Sequence, residues 1–536
     1  MGAEWMPCKE DSALETPLTP LEFARRTRRL YSDRDAVVDG DIRLSYRQFF
    51  ERCDRWSAVL LSLDVKPGDR VAYIAPNTHA QLESFYAVPQ VGGVLVPINY
   101  RLTPDDFVYI INHSGATVVC ADEDHLQQVE SVRDQLPGVR HFVALRGSAP
   151  GWLDYEERLS SAEATFAPPA VAENDLLTIN YTSGTTSRPK GVMITHRNAY
   201  INIVGTLLHL RLNLTDRYLW TLPMFHANGW TYTWTVTAAG ACHICLPKVE
   251  PARAFELVRT EAVTWLCAAP TVLIALAGAP EEMRRDLPRG VHVVTAGAPP
   301  AAATIERMEK DLGWEVTHVY GLTETAPFIT VCEPRPEHAG MPLEELAVIK
   351  ARQGVELITS GELRVVDESG DEVPADGQTM GEIVVSGNVV MKGYYNDPEA
   401  TARAMGDGWF HSGDAAVVHP DGYVEIRDRI KDVIISGGEN ISSVEVEGCL
   451  LRHPAVLEAA IVGLKDDKWG ELPHAFVVLR EGAAATPDEV IEFVRQQLAH
   501  FKAPKEVHFV DTLPKTATGK IQKFVLREGT PAISRQ

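Results

Sequence analysis

Between Asp35 and about Val143 the chain alternates between two hydrophobic rhythms. Short apolar, β-branched runs (AVVDG, RVAYIA, GVLVPI, ATVVCA and HFVALR) are separated by amphipathic segments such as Ser45–Leu63. Buried parallel strands read as nearly continuous apolar runs, whereas the helices between them carry an apolar stripe. The alternation predicts parallel α/β layers, and it recurs through Trp220–Val294. Beyond Gly354 the rhythm changes to hairpin material, ELRVVDESGDEVP, GEIVVSG and GYVEIRDR, with turns expected at Ser369-Gly370 and Asp421-Gly422. After Arg429 follow a helix near Val444–Arg452, strands at Ala459–Val462 and Ala475–Leu479, and a helix near Pro487–Leu498. The expected fold is α/β: an N-terminal body of residues 1–428, with layered sheets and a small β-barrel-like part, and a small α+β C-terminal lid of residues 429–536.

A chain of 536 residues exceeds what one hydrophobic core serves, which agrees with this division. The net charge of -22 argues against a nucleic-acid partner, because phosphate backbones are held by clustered Lys and Arg. Eight cysteines in this length do not make a disulfide scaffold, and a reducing, cytoplasmic setting is expected. The lone CxxC of Cys242 and Cys245 lies in an apolar run and reads as two buried strand thiols. The N-terminus carries early acids and no apolar stretch of the secretory kind. The uncharged segment Ala262–Pro280 superficially resembles a membrane span, but Pro270 divides it into a buried strand and a helix, so no transmembrane segment is expected.

The most informative segment is Tyr181–Gly191, YTSGTTSRPKG. A strand at Asp175–Asn180 feeds a loop whose amides and hydroxyls (Thr182, Ser183, Gly184, Thr185, Thr186), together with Lys190, suit phosphate oxygens. The pattern is not a Walker A loop, since Pro189 precedes the lysine and Gly191 follows it.

With this loop the chain resembles the adenylate-forming superfamily of acyl-CoA synthetases, peptide-synthetase adenylation domains and beetle luciferases, and within it short- and medium-chain and methylmercaptopropionate–CoA ligases. The resemblance runs from about Phe23 to Lys523. It rests on ordered motifs: YTSGTTSRPKGV, PMFHANGW, TAGAPP, YGLTETAP, GWFHSGD, RDRIKDVIISGGENIS and PKTATGKIQK. It implies an ATP- and Mg²⁺-dependent acid–thiol ligase that forms an acyl-AMP and passes the acyl group to coenzyme A. Thr182–Lys190 would hold the β and γ phosphates. Tyr320 would stack on adenine, with His318, Gly297 and Ala298 at the nucleotide's edge. Thr323 would bond the α-phosphate, and Glu324 with Thr182 would bind Mg²⁺. Asp414 would take the ribose hydroxyls with help from Arg429. Lys520 would neutralise the transition state of adenylation.

Lys431 matches the hinge of a lid that rotates between the two half-reactions, and Gly437 and Gly438 match the lining of the pantetheine tunnel. Asn440 belongs to the same nucleotide-facing segment, where some relatives carry Trp or Arg. Ser187 replaces a common glycine, and Ile435 a common lysine. His226 corresponds to a gate between the acyl site and the tunnel, and Trp230 and Trp234 to pocket walls. Gly321 stands where acetate-specific relatives carry Trp, which implies room for a longer acid: short or medium aliphatic, methylthio-substituted or small aryl. The expected partners are ATP, CoA and a small-molecule carboxylic acid, without nucleic acid; a homodimer is compatible with this reading and not required by it. Two rival readings remain at this stage: adenylation for a carrier protein or another acceptor, and a nucleotide-binding regulatory module without turnover.

Overall fold

The computed structural model describes residues 15–182, 188–437, 439–466, 468–515 and 521–533. The apolar runs become strands of two large sheets. Arg70–Ile74, Val94–Ile98, Ala116–Ala121 and His141–Ala144 lie parallel in an eight-stranded sheet. Asp35–Asp39 parts from these neighbours and pairs parallel with Cys242–Ile244 in a nine-stranded sheet. That sheet also contains Arg217–Leu219, Trp265–Ala268, His292–Thr295 and Glu315–Gly321, all parallel.

Helices fill the space between the two sheets. Tyr46–Ser62 starts at a capping box, with Ser45 and Gln48 satisfying each other's backbone N–H groups, and buries Phe49, Cys53, Trp56 and Leu60 along one face. His79–Gln90 is buried at every position from His79 to Pro89. Its Glu83 survives there because Arg52 donates to the carboxylate at 2.6 Å and the Tyr155 hydroxyl does so at 2.6 Å. A buried charge needs such partners. One core runs through this layer from Val71, Leu95 and Val118 of the first sheet to Tyr218, Val294 and Val319 of the second. Separate clusters cover the outer face of each sheet, giving an α/β/α/β/α stack.

The part expected to be barrel-like is a four-stranded antiparallel sheet of Glu362–Val366, Gly381–Ser386, Phe410–Val418 and Val424–Arg429. Both expected turns form, with Gly370 at φ +84° and Gly422 at φ +80°, the left-handed region that glycine enters without strain. A last sheet begins at Ile434 and is built on the long hairpin Val456–Asp466 with Gly470–Leu479. The helices Ser443–Leu450 and Pro487–Gln497 cover one face, and Lys523–Ile533 packs on the other.

The segment Ala262–Pro280 forms the buried strand Trp265–Ala268 and then the helix Pro270–Gly278, with Pro270 in its first turn. Among the described residues no helix is long and apolar enough to cross a membrane. Cys242 and Cys245 are buried free thiols.

Candidate active site

Lys190 is not a loop residue. The strands Leu176–Thr182 and Lys190–Thr195 form an antiparallel hairpin in which Thr182 lies opposite Lys190 and Tyr181 opposite Gly191. The hairpin therefore aims Lys190 from a fixed strand end, and its amine sits 4.7 Å over the ring of Tyr394. The Tyr394 hydroxyl in turn donates to Glu324 Oε1 at 2.9 Å. Burial and the neighbouring Glu324 carboxylate both raise the Tyr394 pKa, so the phenol stays protonated and donating. Tyr394 thus lies between the cation and the carboxylate, a link that sequence reasoning missed. Its only signal there was the aromatic pair after Gly393 in KGYYNDPE. Ser183, Gly184, Thr185, Thr186, Gly438 and Lys520 lie outside the described residues.

A second cluster forms where the parallel strand Glu315–Gly321 meets the antiparallel sheet. Asp414 and Arg429 face each other across neighbouring strands. Asp414 is 3% exposed, with one carboxylate oxygen 2.7 Å from Arg429 Nε and the other accepting from the Tyr320 hydroxyl at 2.6 Å. Burial disfavours the Arg429 charge, but Asp414, with Tyr320 and Glu324, outweighs it and raises the pKa. Tyr320, Asp414 and Arg429 are brought together as expected. His318 is 2% exposed, with Nδ1 at 3.0 and 2.9 Å from the Ala351 and Arg352 carbonyls, and burial lowers its pKa to about 4. It is a neutral residue of the sheet that buttresses this corner.

The third cluster carries the expected pocket residues. From Ala227 to Thr231 five consecutive residues have φ between +37° and +65°, a left-handed turn that L-residues rarely adopt in series. Gly229 allows it, since a Cβ there would come within 2.5 Å of the Trp220 ring. Asn228 Nδ2 donates to Thr178 Oγ1 at 2.9 Å, Thr233 Oγ1 donates to the Asn228 carbonyl at 3.0 Å, and Asn77 holds the approach by accepting from the Met224 N–H at 2.8 Å. The turn starts at His226 and sets Trp230 edge-on to Phe328, with 3.9 Å between Trp230 Cζ2 and a Cβ placed on Gly297. Gly297, at φ +89°, and Ala298 follow the strand His292–Thr295 after Ala296. Trp234 is only 1% exposed; its indole N–H donates to the Phe85 carbonyl at 3.1 Å and its ring packs on Phe85, so it belongs to the core behind this turn.

Gly321 corrects the expectation built on it. A Cβ at this position would fall 1.8 Å from the Pro327 carbonyl oxygen and 2.9 Å from Phe328 Cα. The glycine exists because two backbone segments touch, not because space is left for an acyl chain. Gly321→Ala is expected to destabilise the protein by about 1–3 kcal/mol, as overpacking does. Thermal melting checks this, and an unchanged melting temperature would restore the open-space reading. Thr323 and Glu324 follow in the turn Thr323–Thr325, against which the strand bearing Lys190 packs.

Beyond Arg429 the chain makes the short turn Ile430–Asp432, which contains Lys431. Burial lowers the Lys431 pKa. Asp432 accepts from Arg527 at 2.7 Å, and Lys523 pairs with Glu447 at 2.8 Å and with Ser443. The final helix thereby grips the segment that joins the antiparallel sheet to the last one. Gly437, at φ +62°, packs under the Trp469 ring and donates its N–H to the Trp469 carbonyl at 2.8 Å. Asn440 lies on the strand Glu439–Ile441 opposite Ile435.

Ligands of open α/β sheets bind beyond the carboxyl ends of the parallel strands, and Gly297, Tyr320 and Glu324 gather there. With a phosphate-type hairpin beside them and a small C-terminal domain following, the arrangement is that of an adenylate-forming enzyme. The AMP-binding enzyme family matches residues 23–395, and the AMP-binding enzyme C-terminal domain matches residues 445–520. The chain belongs to the AMP-binding enzyme family and is an acid–thiol ligase of the acyl-CoA synthetase type. It is 44% identical to a 4-hydroxybutyrate–CoA ligase of Metallosphaera sedula, over 96% of this chain and 95% of that protein. It is 41% identical to a peroxisomal acetate/butyrate–CoA ligase of Arabidopsis thaliana, over 96% and 94%. The crystal structure of ATP-bound MatB from Rhodopseudomonas palustris superposes with a TM-score of 0.84 at 29% identity, covering 96% of this chain and all of that one.

Proposed function

We propose that the enzyme activates a short-chain aliphatic carboxylic acid, of the size of butyrate or a hydroxybutyrate, with ATP and CoA as co-substrates. The observation that carries this size class is Trp230, set edge-on to Phe328 and beside Gly297 at the strand ends, which we read as a rigid wall of the acyl site. The chemistry of the two ligases it resembles supports the same size. The rival acceptor reading is separable by assay, because a carrier-protein adenylator would leave CoA unacylated.

A carboxylate is a poor acyl donor, and adenylation exchanges oxide for AMP as the leaving group. The acid's oxygen attacks the α-phosphorus and pyrophosphate departs, so the protein's task is positioning and stabilising charge. We assign the triphosphate to Thr182–Lys190, adenine to Tyr320, ribose to Asp414 and the α-phosphate to Thr323. The Glu324 carboxylate and the Thr182 hydroxyl are hard oxygen donors on two elements that both adjoin the strand Lys190–Thr195, and they suit Mg²⁺. That ion, when bound, neutralises phosphate charge. Tyr394 orients the Glu324 carboxylate while its ring face steadies Lys190. Lys520 supplies a cation to the forming anhydride. CoA's thiol then attacks the acyl-adenylate after residues 429–536 turn about Lys431, with His226 as the gate and Gly437, Gly438 and Asn440 presented to the body. We place the enzyme in the cytoplasm, a setting supported by the buried free thiols of all seven described cysteines.

A panel of acids from acetate to hexanoate, with 4-hydroxybutyrate, a methylthio acid and benzoate, tests this. AMP and acyl-CoA formation should peak at three to five carbons. A maximum on benzoate or hexanoate would overturn the size assignment, and AMP release without acyl-CoA would overturn CoA as acceptor.

A further inference from the structure

The last sheet carries a cluster that no step above uses. His474 on the strand Gly470–Leu479 lies in register with Glu506 on the parallel strand Glu506–Phe509, and His508 follows two residues on. Register partners and residues two apart share a face, so all three side chains project from the same side of the sheet. His474 Nδ1 and His508 Nε2 are 3.3 Å apart, and each lies 3.8 Å from Glu506 Oε2. Both imidazoles are mostly covered, at 13% and 11% side-chain exposure, while the carboxylate is 62% exposed. The His508 ring is backed by Phe476 at 4.8 Å between centroids.

We propose that His474, Glu506 and His508 bind one borderline divalent transition ion of the zinc class, separately from the ATP site. Two ring nitrogens bonded to a tetrahedral zinc at about 2.0–2.1 Å stand about 3.3 Å apart, which is the separation already present here. The two edges to Glu506 are longer, at 3.8 Å, but Glu506 is the exposed member and the free end of its side chain can close both. Imidazole with one carboxylate favours zinc, cobalt or nickel over Mg²⁺, which prefers all-oxygen sites and holds its water. In the metal-free protein the two rings share a hydrogen between the facing nitrogens. On binding, the two rings turn so that their nitrogens converge on an ion to one side of the line joining them, and the donor ring's proton moves to its other nitrogen. Water completes the coordination on the open side. The ion would pin the edge strand Glu506–Phe509 to its neighbour, just before the chain runs on through Leu513 to Lys515.

The test uses the full chain, stripped with a chelator and titrated with Co²⁺ in excess Mg²⁺, read by visible absorption, with Zn²⁺ as competitor. One saturable ion per chain is expected, displaced by Zn²⁺, with a zinc-dependent rise in melting temperature. His474→Gln and His508→Ala should each weaken Co²⁺ at least about tenfold. Glu506→Ala alters only an exposed side chain and should weaken it less, serving if either histidine variant fails to fold. No saturable spectrum, or affinity unchanged in Glu506→Ala and in the histidine variants that fold, would leave only a hydrogen-bonded histidine pair and overturn the site.

Discussion

Lys520→Ala is expected to slow acyl-AMP formation about 10²–10³-fold while thioester formation from supplied acyl-AMP keeps most of its rate. The first figure is what removal of one positioned charge from a developing anion costs. The asymmetry follows from the two half-reactions. Adenylation places charge on the α-phosphate and on the departing pyrophosphate, so removing one of the two assigned lysines falls on that step. Thiolysis breaks the acyl–phosphate bond with AMP already a good leaving group. The elements flanking Lys520 are firmly built. Lys515 bridges to Ile521 in the backbone and pairs with Glu458 at 2.6 Å, and Lys523 is held by Glu447. Single-turnover measurement of each half-reaction settles the matter, and equal losses in both would remove the assigned role.

The second large effect is expected at Asp414. Asp414→Asn keeps the volume but offers one acceptor oxygen where two are used, and turns an N–H₂ toward either Arg429 or Tyr320, both donors. Breaking a buried pair costs about 3–5 kcal/mol. Arg429 is 30% exposed, so about 1–3 kcal/mol is expected after solvent screening. Loss of one charge-assisted hydrogen bond from the ribose in the proposed complex, about 1.5–3 kcal/mol, should raise the KM for ATP about 10–100-fold. Pyrophosphate–ATP exchange and a melting curve report the two effects separately. A lowered melting temperature with an unaltered KM would reduce Asp414 to a structural residue.

Much of the fold was legible because the two rhythms are strong. The five early apolar runs all became strands, and Ser45–Leu63 became a helix with its boundaries within a residue. What rhythm could not convey was partnership: Asp35–Asp39 looks like its neighbours yet serves the other sheet, a choice made by long-range packing against Cys242–Ile244. The strands Ile434–Ser436, Glu439–Ile441 and Glu506–Phe509 were unread because three or four residues carry too few positions to display a period. The helix Lys523–Ile533 was hidden because Gly529 and Pro531 inside it read as helix breakers. Of the site, Tyr320, Asp414 and Arg429 were singled out by their motifs, but not the Tyr320–Asp414 hydrogen bond that ties them together. Tyr394 was not, because its value lies in standing between Lys190 and Glu324, which precede it by about 200 and by 70 positions and share no local pattern with it. Gly321 was misread for a related reason: an absent side chain looks like vacant room until the Pro327 backbone is seen filling it.

The left-handed turn at Ala227–Thr231 bears on any attempt to retune this enzyme. Trp230 sits at φ +53°, where a bulky side chain is held against its backbone preference. Shrinking that residue to glycine would therefore widen the proposed acyl wall and relax the main chain together, whereas a β-branched replacement would widen it while adding to the backbone strain. Substrate range and local foldability are thus coupled at one position, and the easiest evolutionary route from this scaffold leads toward bulkier acids.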